Sequence, residues 1–586
     1  MRQLGRPSFL DDVNECYSIG RNVVLLTGDI EGPFWDPHNE TFVSLELMLH
    51  SHLTHLTERD KDSSFAVARF DGGSGVGFLD KESKVFADRI YGFDSGSHRD
   101  DDLTKAEKLT ANHPLAGLHL LSQLCEQQVK HHEAVRKGQT QGESKPLCHI
   151  LQFAGALFPT GDLGHMSDHQ WQRIVEFLNW ISSPGVEGSR NLIFLIAETK
   201  SEINEKFFQR LNTAHVEIQG PDEDMRGLVT ERFCEMHKGV RFRGSTKGRE
   251  KFVENSAGLT TAQIFDILRV SSRLKRLITS ESVSSKVNEV MTAKLGDLVT
   301  TKRPSHTPDN IACYPRHGEI FAEIFENCED PATAPSAIVV SGPNGVGKTF
   351  QLEAHAGVSG RVVIELSKIR GSYFGETDRF FDTLKWYIAT FGKVLILVDE
   401  AHTAIGSVHD SGTHDTERRL GGNIIKMMSD NDFRSKVVWG LMTSRPDELD
   451  PDVISRSPEQ VPIFDPHGPG ERKEFIEVMF GLEKVKFEAT NLDEIEERTR
   501  TFSARDYADL IRKIISKRRK HRGMNVLEVL DIWSASSAIA DQRRFQTLTA
   551  AKFCAYPQLL PEDVSKLIQS NNFDAEIMKL RTKLRY

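Results

Sequence analysis

Cysteine is scarce in this chain. Seven residues in 586 (Cys16, Cys125, Cys148, Cys234, Cys313, Cys328 and Cys554) are scattered and form no C-x-x-C pair. The odd count and irregular spacing argue against a disulfide framework or a zinc site, and for a reducing compartment. Long apolar runs are missing too. The most apolar stretches, "NLIFLIAE" (191–198) and "KVLILVDE" (393–400), are far too short to cross a bilayer. The N-terminal "MRQLGRPSFLDD" has no apolar core and does not read as a secretory signal. A cytoplasmic protein with no membrane segment is expected. Positive charge is in deficit: 74 Lys and Arg against 84 Asp and Glu give a formal net charge of −10. That balance argues against nonspecific nucleic-acid binding by the whole chain, although a local patch can still bind. H-E-x-x-H is absent, which excludes a zinc protease site of that kind from this sequence.

What is present is an ordinary globular composition, 38% hydrophobic and 27% charged, in a chain long enough for more than one domain. Residues 1–300 alternate strand-like and helix-like runs. "NVVLLTG" (22–28), "SFAVARF" (64–70), "LCHILQFAG" (147–155), "NLIFLIAE" and "AHVEIQG" (214–220) are rich in branched and aromatic residues and end in turn formers. Segments such as "HQWQRIVEFLNWI" (169–181) have helical spacing. This alternation predicts a parallel sheet covered by helices. Residues 221–300 read as helices, and 301–335 as a Pro-rich, polar join. From 336 the alternation returns in "AIVVSG", "RVVIEL", "KVLILVDE", "KVVWGLMTS" and "QVPIFDP". The order repeats that of the first half, as in a tandem duplication. The tail from about 525 reads as helices.

The chemistry lies in the second half. "GPNGVGKT" (Gly342, Pro343, Asn344, Gly345, Val346, Gly347, Lys348, Thr349) fits G-x-x-x-x-G-K-[ST], with Phe350 next, between an apolar strand and a helix. Glycines let backbone N–H groups curl around phosphate, and the helix N-terminus adds positive potential. Lys348 is expected to reach the β and γ phosphates and Thr349 to ligate Mg²⁺. "KVLILVDE" reads as a buried strand delivering Asp399 to Mg²⁺ and Glu400 to the attacking water. In "VVWGLMTSRPDELDP" (437–451), Ser444 stands where a γ-phosphate or water contact is possible, or is a plain loop serine. Arg456 is either a surface arginine or one presented to a neighbouring subunit's nucleotide.

Together these segments resemble the AAA family of the AAA+ ATPases over about residues 336–525. The resemblance implies an α/β P-loop fold with a helical lid, ATP and Mg²⁺ as ligands, and self-association, commonly as a homohexamer that works on macromolecules. In that family the loop after the second strand carries an aromatic–hydrophobic–glycine motif facing a central pore. "SYFGETD" places Tyr373, Phe374 and Gly375 there, and an exposed aromatic between glycines can grip any polypeptide. The alternative is a loop whose aromatics fold back onto the core. The sequence departs from the family pattern at three places. Ser444 replaces the usual asparagine, "SRSPEQV" replaces a second arginine, and Ala504-Arg505 replaces Gly-Ala. Arg505 is a phosphate contact or a surface arginine.

The first half resembles a degenerate AAA module. "VVLLTGDIEGPFWD" (23–36) has no Gly-Lys-Thr, "DGGSGVGFLD" (71–80) is a glycine-rich turn, and "LCHILQFAGALFP" has no acid pair. No hydrolysis is expected there. The layout is similar to tandem AAA ATPases encoded in cyanobacterial and chloroplast genomes. The expected domains are a degenerate α/β module (1–230), its lid (231–300), a linker opening the second module (301–335), an active core (336–480), a lid (481–525) and a helical extension (526–586). The leading expectation is an ATP-driven remodeller acting on a protein substrate or adaptor. A nucleotide-dependent scaffold or switch is the alternative. A nucleic-acid motor, suggested only by "SKRRKHRG" (516–523), is disfavoured, because basic residues at a helix end are usually solvated.

Overall fold

The computed structural model describes residues 6–56, 64–92, 100–161, 166–296, 299–302, 304, 306–311, 315–366, 376–405, 415–466, 468–521, 524–533 and 540–584. They form two compact units: Met1–Val287 with Asp378–Thr390, and Asn288–Thr377 with Phe391–Tyr586. Among the described residues no helix is long and apolar enough to cross a membrane.

The first unit is built on strands β1 (Val23–Gly28), β2 (Ala66–Asp71), β3 (Gly75–Phe78), β4 (Leu147–Leu151), β5 (Leu192–Ile196) and β6 (Thr213–Ile218). They lie in the order β3-β2-β4-β5-β1-β6, all parallel except the edge strand β3. Helix α1 (Leu45–Leu56) follows β1, and the short α2 (Ala154–Leu157) follows β4. The glycine-rich "DGGSGVGFLD" is the β2–β3 hairpin. Its turn is held by the Asp71 carboxylate, which accepts from Gly73 and Ser74 N–H.

The second unit repeats this plan with β7 (Val299–Lys302), β8 (Ala337–Ser341), β9 (Val362–Leu366), β10 (Val394–Val398), β11 (Val437–Thr443) and β12 (Glu459–Pro462). Their order is β7-β9-β10-β11-β8-β12, with β7 antiparallel at the edge. In both sheets the first parallel strand sits between the fourth and fifth. Strands β8, β10 and β11 are buried along their whole length, as expected where helices cover both faces. The edge strand β7 alternates buried and exposed residues. It falls where helix and linker were expected, because "VTTK" has no apolar run to announce a strand.

Helices α3 (Lys348–Val358) and α4 (Ala401–Ala404) follow β8 and β10. Helices α5 (Gly468–Leu482), α6 (Leu492–Arg498), α7 (Ala504–Lys520) and α8 (Val526–Ile532) enclose a separate core that includes Phe475, Ile495, Leu510 and Val529. Ser503 starts α7 through a capping box with Asp506, and Tyr507, Leu510, Ile511 and Ile514 form its buried stripe. A final layer, α9 (Ala540–Lys552), α10 (Glu562–Gln569) and α11 (Phe573–Leu584), packs Phe545, Leu548, Val564 and Leu580 around Phe464, just beyond β12.

One buried cation ties the start of β9 to its surroundings. The Arg361 side chain has no exposed surface and donates to Cys328 O (3.1 Å), Ser435 O (3.0 Å) and Lys436 O (3.2 Å). It also pairs with Glu329, which is 41% exposed. Arg361→Ala strands three carbonyls and should cost the second unit about 3 kcal/mol. Glu329→Gln removes a solvated partner that Arg361 shares with Lys393 and should cost less than about 1 kcal/mol. Urea unfolding of the two variants checks this; equal losses would show that the ion pair, not the carbonyl contacts, sets Arg361's worth.

Candidate functional site

All the parallel strands of a sheet end on one side, and a crevice opens where neighbouring connections diverge. In the second unit that place is the end of β8. The chain leaves it through three glycines in the left-handed region: Gly342 (φ +137°), Gly345 (+85°) and Gly347 (+94°). At Gly342 a Cβ would lie 2.1 Å from Ile463 O, so only glycine fits. Gly347 precedes α3, whose first residue is Lys348. The Lys348 ammonium is buried and donates to Gly342 O (2.9 Å) and Pro343 O (3.1 Å). Burial pushes its pKa down to about 8, against the pull of Glu400 and Asp399 and helped by Arg505 and Arg543. A buried cation within a glycine cradle at a helix N-terminus fits an anionic phosphate ligand.

Thr349 is partly buried on the first turn of α3. Phe350 is exposed, and its ring stacks on His306 at 3.9 Å between centroids. Asp399 and Glu400 follow β10. Glu400 N–H donates to the Asp399 carboxylate (3.0 Å), and Glu400 has φ +47°, a costly conformation for a residue with a side chain. Ser444 is buried at the end of β11, its Oγ 3.5 Å from Glu400 Oε2. The lid also reaches the loop: Arg505 N–H donates to Gly345 O (3.2 Å). Lys348, Asp399, Glu400, Ser444 and Arg505 therefore share one neighbourhood. Arg456 is exposed at the end of helix Pro451–Ser455 and donates to Ser429 Oγ (2.6 Å). Among the described residues no hydrogen bond or ion pair joins it to that group. Tyr373, Phe374 and Gly375 lie outside the described residues.

Four nearby residues were not anticipated. His402 Nδ1 lies 2.9 Å from Thr443 Oγ1 and 3.4 Å from Glu400 Oε2. Burial lowers the pKa of His402, opposed by Glu400 and Glu448. Arg445 is buried, pairs with Asp447 (3.0 Å) and Glu448 (2.7 Å), and lies over the Phe545 ring. Arg543 and Gln546, on α9, contact Asn344. Only "DEAH" (399–402) carried a local signal, since its histidine follows the acid pair.

The first unit keeps the same backbone with other side chains. Gly28 ends β1 at φ +92°, and a Cβ there would lie 2.3 Å from Ile218 O, as Gly342 stands to Ile463. Trp386, in the stretch grouped with this unit, donates to that carbonyl (2.8 Å). Asp29 comes next and is buried, which with the charge of Glu31 raises its pKa to about 7. After β4, Gln152 and Phe153 stand where the second unit has Asp399 and Glu400. Phe153 has φ +52°, the same turn as Glu400, but offers a phenyl ring. Gln152 donates to Glu46 on the first turn of α1, and burial raises the pKa of Glu46. Carboxylates thus occupy places where the second unit has loop backbone and Thr349.

A glycine cradle with a buried lysine, an acid pair at the end of β10, one strand removed from β8, and a helical lid are the features of a P-loop domain of the ATPase type. Residues 338–464 match the family model "ATPase family associated with various cellular activities (AAA)". Residues 3–219 match "AAA+ chaperone, N-terminal Rossmann-like domain". The chain belongs to the AAA ATPases and has two AAA-type modules in tandem. It is similar to the meiotic spindle formation protein mei-1 of Caenorhabditis elegans (28% identity; 33% of this chain, 41% of the relative). It also resembles the outer mitochondrial transmembrane helix translocase of Danio rerio (25%; 30% and 49%). A third relative is the ATP-dependent zinc metalloprotease FtsH 2 of Bdellovibrio bacteriovorus (30%; 33% of each). The chain thus spans a third to a half of the length of these relatives.

Gly342→Ala should push the loop off Ile463, lower stability by about 2–4 kcal/mol and abolish thermal stabilisation by nucleotide. Gly422→Ala, on helix Asp415–Met428 with open space at its Cβ, should be neutral or stabilising by up to about 1 kcal/mol. Thermal melts with and without nucleotide compare the two. A Gly342→Ala protein that still responds to ATP would show that the close approach is dispensable.

Proposed function

We propose that the second unit binds and hydrolyses ATP, giving ADP and phosphate, and that the first does not. The observation that carries this reading is the convergence of Lys348, Asp399, Glu400 and Ser444 beside a loop of three positive-φ glycines. Lys348 binds the β and γ phosphates, together with the amides of Gly345, Val346, Gly347, Lys348 and Thr349. Thr349 and Asp399 would hold Mg²⁺, which when bound offsets phosphate charge. Glu400 orients the attacking water and takes its proton, while Ser444 and His402 hold that carboxylate in place. Arg505 enters from the lid and senses phosphate.

The wider reading is a homohexameric ring. Arg456 acts on a neighbour's nucleotide, and Tyr373, with Phe374 and Gly375, draws a polypeptide through the pore. The likeness to proteins named as a translocase and as an ATP-dependent protease supports it. The basic run at the end of α7 supports the nucleic-acid alternative poorly. Arg518 there is spent on Met524 O and Lys486 O.

Glu400→Gln should retain ATP binding while turnover falls by about 10²–10⁴-fold. Lys348→Ala should lose both. Turnover that survives in Glu400→Gln would assign the water to another residue. Electron microscopy of Glu400→Gln with ATP tests the wider reading. A closed ring with polypeptide density against Tyr373 is expected. Monomers, or a ring without such density, would favour the scaffold or switch.

A further inference from the structure

Residue Asn344, in the middle of the phosphate loop, is held from outside the ATPase core. Its N–H donates to Gln546 Oε1 (3.4 Å), and its carbonyl accepts from Arg543 Nη1 (3.2 Å). Both partners lie on α9, about 200 residues further along the chain, in the C-terminal layer. Gln546 is buried, and the Arg543 side chain is 15% exposed. Arg543 is itself fixed. Its Nη2 reaches both carboxylate oxygens of Asp465, one at 2.6 Å, just beyond β12. The intervening Phe545 lies under the Arg445 guanidinium, 5.0 Å from its ring centre, in the segment after β11.

These contacts have a geometric consequence. A trans peptide points its C=O and its N–H in opposite directions. The 343–344 peptide gives its carbonyl to Lys348 and its N–H to Gln546. The 344–345 peptide gives its carbonyl to Arg543, which turns the Gly345 N–H away from α9. The 345–346 peptide gives its carbonyl to Arg505 N–H, which turns the Val346 N–H the opposite way. Three successive peptides are each held by at least one edge. Glycine-rich loops lose much conformational freedom when a ligand orders them, so a loop held beforehand binds more tightly.

We propose that Arg543 and Gln546 are positioning residues of the nucleotide site. By fixing the peptides on either side of Asn344, they hold the amides of the phosphate loop ready for the triphosphate and make the C-terminal layer part of the ATPase. The proposal rests on the reading of the second unit as an ATP site. Neither residue touches the reacting atoms; Gln546 acts through Asn344, and Arg543 acts through Asn344 besides adding positive charge near Lys348.

The test uses the full chain. Hydrogen–deuterium exchange of the peptide covering residues 342–350, in protein without nucleotide, reads the loop directly. Arg543→Ala and Gln546→Leu should each speed exchange of its protected amides by about tenfold and weaken binding of a fluorescent ATP analogue by about tenfold. Gln546→Glu keeps an acceptor for Asn344 N–H and should leave the exchange of the loop amides slow, as in the wild type, whatever its added charge does to affinity. KM should rise more than kcat falls, because the loop is formed before chemistry. Lys552→Ala, at the exposed end of α9, should change nothing. A merely structural role predicts another pattern. If Arg543 serves only to neutralise Asp465, adding Asp465→Asn to Arg543→Ala should return exchange and affinity to normal, and that result overturns the proposal. Unchanged exchange in both single variants overturns it as well. Failure of the wild-type chain to bind the analogue would instead overturn the ATP-site reading, while the exchange comparison still decides whether α9 braces the loop.

Discussion

The site depends on one close approach. Gly342 leaves β8 against the carbonyl of Ile463, at a distance that no Cβ can share. The chain therefore turns at once. Lys348 can then fold back on the carbonyls of Gly342 and Pro343 with its charge buried. Burial of that ammonium is costly, and the loop carbonyls with the nearby Asp399 and Glu400 offset only part of the cost. The resulting site is poised for an anion, which would complete what the protein leaves unbalanced.

The first unit repeats this geometry with other side chains. Gly28 makes the same approach to Ile218 O, and Phe153 keeps the same left-handed turn as Glu400. A sheet with one strand order imposes the same strand ends, so the backbone solution persists whatever side chains it carries. Asp29 and Glu46 place carboxyl groups near that strand end, and burial raises the pKa of both.

The second unit also extends beyond a sheet and lid. The layer α9–α11 packs on Phe464, and its first helix touches the phosphate loop, the segment after β11 and the segment after β12. A rigid helix is a suitable connector for three segments that each come from a different strand end. The αL turn at Glu400, with His402 and Ser444 beside its carboxylate, is a second such constraint.

The sequence by itself determined the fold class, the duplication of strand order and the phosphate loop. These signals are contiguous: buried parallel strands read as apolar runs, and "GPNGVGKT" and "LVDE" each occupy one stretch of chain. It did not show the polar edge strand β7, whose side chains alternate and pair through backbone. Tertiary structure alone decided that Ser444 lies near Glu400, that Arg456 pairs with Ser429, and that Arg543 and Gln546 meet Asn344. Such contacts join residues far apart in the chain, and no local periodicity or spacing records them. Strand pairing brings Ser444 to Glu400 and helix packing brings α9 to Asn344, and both are settled by the whole core rather than by any one segment.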